Sequence, residues 1–122
     1  MLVALLIACS GEVTINNTQT GCTDYDYDNP APSTVVVDVA DDVATVRRTN
    51  IALDSGSLAF VPDVVAEGDR IDVFEAWQGE GDGLPFCYDA VITIEPAPRA
   101  EVRWYQSADE AVPFATVEIE PG

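Results

Sequence analysis

The 122-residue sequence contains no histidine, and its five basic residues are all arginine, so lysine is absent as well. Imidazole is the usual proton-transfer group near neutral pH, and lysine is the usual amine nucleophile or phosphate anchor. Without them any catalysis would fall to carboxylates. A glycosidase needs two acids about 5 to 9.5 Å apart across a cleft, and no spacing singles out such a pair among the 22 Asp and Glu residues. The chain therefore reads as a non-enzyme, with no catalytic residue assigned. Basic charge is equally scarce: the net charge is −17, which excludes nucleic acid held on a general basic surface. Long apolar runs are missing too, and none approaches the roughly 20 residues of a membrane-spanning helix.

What is present suffices for a core. Hydrophobic residues make up 48% of the chain, whereas disorder requires low hydrophobicity together with high charge. At this length the chain has room for one domain. No segment sustains helical periodicity. The apolar segments are short, β-branched and often alternating, and Gly, Pro, Asp and Asn clusters separate them. Candidate strands cover residues 12–18, 34–39, 43–49, 58–65, 70–77, 86–95, 101–106 and 114–120. The expected fold class is all-β: an antiparallel β-sandwich of about seven or eight short strands, immunoglobulin-like in architecture. The detailed immunoglobulin pattern is not met. Cys22 falls in an expected loop, and no Tyr stands two residues before Cys87.

Alternation assigns faces. Ile71, Val73 and Trp77 share one phase, which Glu75 interrupts; Phe86, Tyr88, Ala90, Ile92 and Ile94 share another; Ala115, Val117 and Ile119 face inward while Thr116, Glu118 and Glu120 face out. Pro62 cannot donate to a ladder, so it demotes the centre of its strand to an edge or a bulge. Arg47, Arg48, Arg99 and Arg103 read as counter-charges for surface carboxylates, each pair worth little alone.

The first nine residues, Met-Leu-Val-Ala-Leu-Leu-Ile-Ala-Cys, form an apolar run closed by a small residue and a cysteine. That is the form of a secretory signal near its cleavage site. Leu6-Ile7-Ala8-Cys9 resembles the lipobox of bacterial lipoprotein signal peptides. The resemblance covers only this stub. It implies that residues 1–8 are a leader, that cleavage follows Ala8, and that Cys9 becomes the lipid-bearing N-terminus of a domain spanning 9–122. The competing readings of the same residues are a buried N-terminal strand ending in an ordinary cysteine and a plain secretory signal.

An odd cysteine count in an exported protein leaves one to explain. Of Cys9, Cys22 and Cys87, lipidation takes the first, and Cys22 and Cys87 remain as a disulfide pair in an oxidising compartment. Two unpaired thiols in a cytosolic protein are the alternative. Metal binding by these cysteines lacks the spacing and the histidines it would require.

Asp24, Asp26 and Asp28 alternate with Tyr25 and Tyr27 before Asn29 and Pro30. Alternating carboxylates open a calcium loop, but Asn29 stands where Gly is expected, and Val35 where a bidentate Glu belongs. Solvated acids beside Cys22 compete with a weak calcium site as the account of this segment. Tyr25 and Tyr27 are the candidate ligand-contacting aromatics, whereas Trp77 and Trp104 share phases with valines and belong to the core. Residues 79–83, Gly-Glu-Gly-Asp-Gly, read as a connection chosen for backbone freedom.

The sequence thus carries two functional expectations. The leading one is a non-catalytic, lipid-anchored envelope protein outside the cytoplasm of a bacterium, acting as a structural or interaction module. Its contact with the membrane is the lipid alone, its cofactor none, and its partner an envelope protein or glycan. The alternative is a calcium-dependent ligand-binding domain, with carbohydrate as the candidate ligand. The surplus of acids resembles the composition of proteins from saline habitats, where carboxylates keep a surface hydrated.

Overall fold

The computed structural model describes residues 2–8, 11–23 and 25–121, with side chains from Glu12 onward. Cys9 and Asp24 lie outside the described residues, so the candidate lipidation site and one candidate calcium ligand are not placed.

Eleven strands form along the described chain: β1 (Leu2–Ala8), β2 (Gly11–Gly21), β3 (Val35–Ala40), β4 (Val43–Leu53), β5 (Ala59–Phe60), β6 (Asp63–Glu67), β7 (Arg70–Phe74), β8 (Trp77–Gln78), β9 (Phe86–Glu95), β10 (Ala100–Tyr105) and β11 (Ala115–Ile119). The fold is all-β. A five-stranded sheet runs β1-β2-β9-β4-β3, a four-stranded sheet β11-β10-β7-β6, and β5 pairs with β8. Every pairing is antiparallel except β7 with β10, which run parallel. That one pair departs from the purely antiparallel expectation. Its cause is the chain path, since β9 intervenes between β7 and β10 as a strand of the other sheet.

The two sheets share one core. Val13, Ile15, Ala44, Val46, Ala90, Ile92 and Ile94 from the first meet Ile71, Val73, Val102, Trp104 and Ile119 from the second. Fully burying one such side chain contributes about 1.5–3 kcal/mol. The strand at 86–95 has the expected bounds, and its inward set from Tyr88 to Ile94 is buried.

Two expected strands each divide in two. The segment 58–65 becomes β5 and β6, with Val61 and Pro62 between them. Proline cannot serve a central ladder, and here the chain changes partner, from β8 to β7. The segment 70–77 becomes β7 and β8, broken at Glu75 and Ala76.

Short connections hold the register. Ala40 pairs with Val43 across Asp41 and Asp42, both with positive φ (52° and 63°). That is the conformation a two-residue hairpin needs to match strand twist, and Asp tolerates it better than most residues. Glu67 pairs with Arg70 across Gly68, whose φ is 61°. In β4 the pairing with β9 shifts between Arg48 and Ile51, and Asn50 there takes a φ of 56°. The N–H of Asn50 donates to Asp89 Oδ1 at 3.0 Å, so the bulge keeps its backbone satisfied.

Candidate functional site

Cys22 follows β2 directly and Cys87 lies in β9, the neighbouring strand. Their Cα atoms are 5.4 Å apart and the sulfurs are bonded, as expected from the sequence. The Cys22 N–H also donates to the Cys87 carbonyl at 3.1 Å. The disulfide therefore extends the β2–β9 pairing within one sheet. In an immunoglobulin domain the corresponding bridge joins the two sheets.

The candidate calcium segment projects from this end. Asp26 Oδ1 accepts the N–H of Asp28 at 2.9 Å, and the Asp26 carbonyl accepts the N–H of Asn29 at 3.2 Å. The Asp26 carboxylate thus closes its own turn, while Asp28 is exposed. Among the described residues no three carboxylates or thiols are grouped as a cation would need. Tyr25 and Tyr27 meet edge to face with ring centroids 4.9 Å apart. Tyr27 is half exposed, and its hydroxyl accepts the Cys87 N–H at 3.0 Å. The pair offers an apolar edge beside the disulfide, and one of its hydroxyls is already used to pin the loop.

The expected connection at 79–83 lies between β8 and β9, and Gly79 and Gly83 both have positive φ (127° and 76°). A Cβ on Gly79 would sit 3.0 Å from the Ser57 carbonyl oxygen, so both backbone freedom and close approach select glycine there.

The arginines are not all surface counter-charges. Arg48 is 7% exposed and Glu75 equally buried. Arg48 Nη1 donates to Glu75 Oε1 at 2.5 Å, and the indole N–H groups of Trp104 and Trp77 donate to Oε1 and Oε2 at 3.0 and 2.9 Å. Arg48 Nε donates to Ser33 Oγ, and the Phe114 ring lies 4.4 Å from the guanidinium carbon. One ion pair thus joins β4 of the first sheet to the break between β7 and β8. Both carboxylate oxygens have donors, which is what makes a buried charge tolerable. A detectable signal existed. Arg48 is in phase with Ala44 and Val46, and Glu75 with Ile71 and Val73, so opposite charges stood on two inward faces.

An aromatic row continues from this pair. Phe60 lies between Trp104 and Trp77 at 5.9 and 5.3 Å, and Trp77 reaches Tyr88 at 4.8 Å. Trp104 is fully buried and Trp77 packs against the core, as their strand phases imply. Polar side chains stitch short β5 into place: Asn17 Nδ2 donates to the Phe60 carbonyl at 2.8 Å, while Gln19 donates to the Leu58 carbonyl and accepts the Phe60 N–H.

A surface cavity of about 720 Å³ opens on the second sheet, lined by Arg70, Arg99 and Arg103 together with Glu67, Glu118 and Glu120 among others. Arg70 lies 3.3 Å from Asp72 and 3.9 Å from Glu67, and Arg103 donates to Glu101 at 2.6 Å. The Glu101 hydrogen bond holds the Arg103 guanidinium above its ordinary range, so it stays a cation. Arg99 is engaged as well. With Arg70 and Arg103 matched to acids and five carboxylates in the lining, the cavity presents no concentrated positive field for an anion.

The chain has no significant match among protein-family models, curated proteins or solved structures.

Proposed function

We propose that the protein is a non-catalytic, lipid-anchored module of the bacterial cell envelope, cleaved after Ala8 and acylated on Cys9. The observation that carries the reading is the distribution of its three cysteines. Cys22 and Cys87 are bonded to each other, which leaves Cys9, the one preceded by Leu6-Ile7-Ala8, as the odd thiol. A disulfide is at home outside the cytoplasm. Two packed β-sheets presenting loops at their ends suit an interaction module of the immunoglobulin-like kind.

Only Ser10 separates Cys9 from β2. Two residues span at most about 7 Å, so the lipid would hold the Gly11 end of β2 close to the headgroups. Its remaining surface, at a net charge of −17 for the chain, would be repelled by anionic lipid. Lipid chains at about 0.8 kcal/mol per buried methylene, two or more together, make the attachment stable.

The test is incorporation of a labelled fatty acid in bacterial cells. The wild-type chain takes up label and fractionates with membranes; Cys9→Ala takes up none and is released. Equal labelling of both, or none of either, overturns the proposal.

A further inference from the structure

β1 pairs with β2 at seven successive positions, from Leu2 opposite Asn17 to Ala8 opposite Gly11. In the envelope reading β1 is the leader, and this inference rests on that reading: cleavage after Ala8 removes β1 and turns β2 into the edge of its sheet. A natural edge strand is blunted by charge, proline, a bulge or shortness, because its free N–H and C=O groups template further pairing. The other edges of the two larger sheets follow that rule. β3 carries Asp38, β6 carries Asp63 and Glu67, and β11 carries Glu118.

β2 does not. It is 11 residues long, and from Val13 to Gly21 it has no charge and no proline. Its register with β9 runs unbroken from Thr14 opposite Glu95 to Gly21 opposite Tyr88, so no bulge twists it away. In a chain of net charge −17, residues 13–21 of this edge let two copies approach without opposing carboxylates.

We infer that the mature protein pairs with a second copy of itself through β2, antiparallel across a two-fold axis, so that two four-stranded sheets become one continuous sheet. Antiparallel pairing is the mode this edge already uses with β1, and self-complementarity is what an isologous two-fold contact requires. Val13, Ile15 and Asn17 face the core. Keeping them on one side of the joined sheet requires each residue to meet one of the same parity. Pairing centred on Asn16 meets that condition: Asn16 faces Asn16 of the second copy, and Glu12 lies opposite Thr20 rather than another acid.

The experiment uses the lipid-bearing protein extracted from membranes in detergent, with the N-terminal mass read alongside. Sedimentation equilibrium gives twice the protomer mass, and the dimer fraction rises with sodium chloride as the like-charged bodies are screened. Asn16→Cys forms a disulfide-linked dimer on mild oxidation, whereas Thr116→Cys on β11 does not. Asn16→Lys combined with Thr18→Lys returns a monomer. A cleaved, acylated protein that sediments as a monomer overturns the inference while leaving the anchor intact. So does equal cross-linking at both positions, or a complex in which β2 holds a different protein. Retention of Met1 overturns the anchor reading and the pairing together, and the N-terminal mass separates that failure from the others.

Discussion

Glu75 accepts Arg48 in an ion pair buried between the two sheets, with both tryptophan indoles donating to the same carboxylate. Removing one member of a buried pair strands the other charge, at a cost of about 3–5 kcal/mol. Glu75→Gln keeps an acceptor for one indole, sets its NH2 against the N–H of the other, and leaves Arg48 uncompensated, so urea unfolding is expected to show a loss of at least that size. Adding Arg48→Met to Glu75→Gln removes the stranded charge and recovers part of the loss. A double variant no better than the single one would contradict this account of the pair.

The disulfide closes a loop with a sequence separation of 65. The chain-entropy model assigns such a crosslink about 4 kcal/mol, a large share of a small domain's stability. Thermal unfolding with and without reductant should separate by on the order of 10–20 °C, since each kcal/mol shifts the midpoint by about 4–8 °C in domains of 60–100 residues and about 2–4 °C in domains of 150–250. Superimposable transitions would show that the bond contributes nothing.

Asn17 is 5% exposed and its amide caps the Phe60 carbonyl. Asn17→Ala leaves that carbonyl unsatisfied, and the expected cost is about 1–3 kcal/mol. Thr18→Ala, one position along on the exposed face, is expected to change stability by less than about 0.5 kcal/mol. Chemical denaturation of both variants checks the contrast.

Salt should stabilise the fold. A net charge of −17 repels itself, and the Debye length shrinks from about 10 Å at 0.1 M to about 3 Å at 1 M. The melting temperature is expected to rise with sodium chloride into the molar range. Calcium at matched ionic strength is expected to add nothing, and Asp26→Ala, which loses only the contact closing its own turn, to leave the calcium response unchanged. A calcium-specific rise abolished by Asp26→Ala would move the account to the ligand-binding alternative.

Much of the fold could be read from the sequence, because period-two alternation is a local signal. The inward faces of β9 and β11 follow it, and Pro62 marks the point where one expected strand divides. The parallel β7–β10 pair could not be read, since sheet order is decided by which faces must be buried against each other. Local sequence places Arg48 at the surface because charge is ordinarily exposed; only its partner, 27 positions away and inward-facing, makes its burial possible. The candidate site was legible at the disulfide. Tyr25 and Tyr27 do stand at the surface beside it, though bonding of Tyr27 to the Cys87 backbone needed three dimensions to see.

Mass spectrometry of the protein purified from the membranes of its own cells tests the central claim most directly. The account predicts an N-terminal peptide that begins at Cys9 and carries the mass of its acyl chains, together with a linked pair of peptides holding Cys22 and Cys87. An intact Met1 with Cys9 as a free thiol would contradict it.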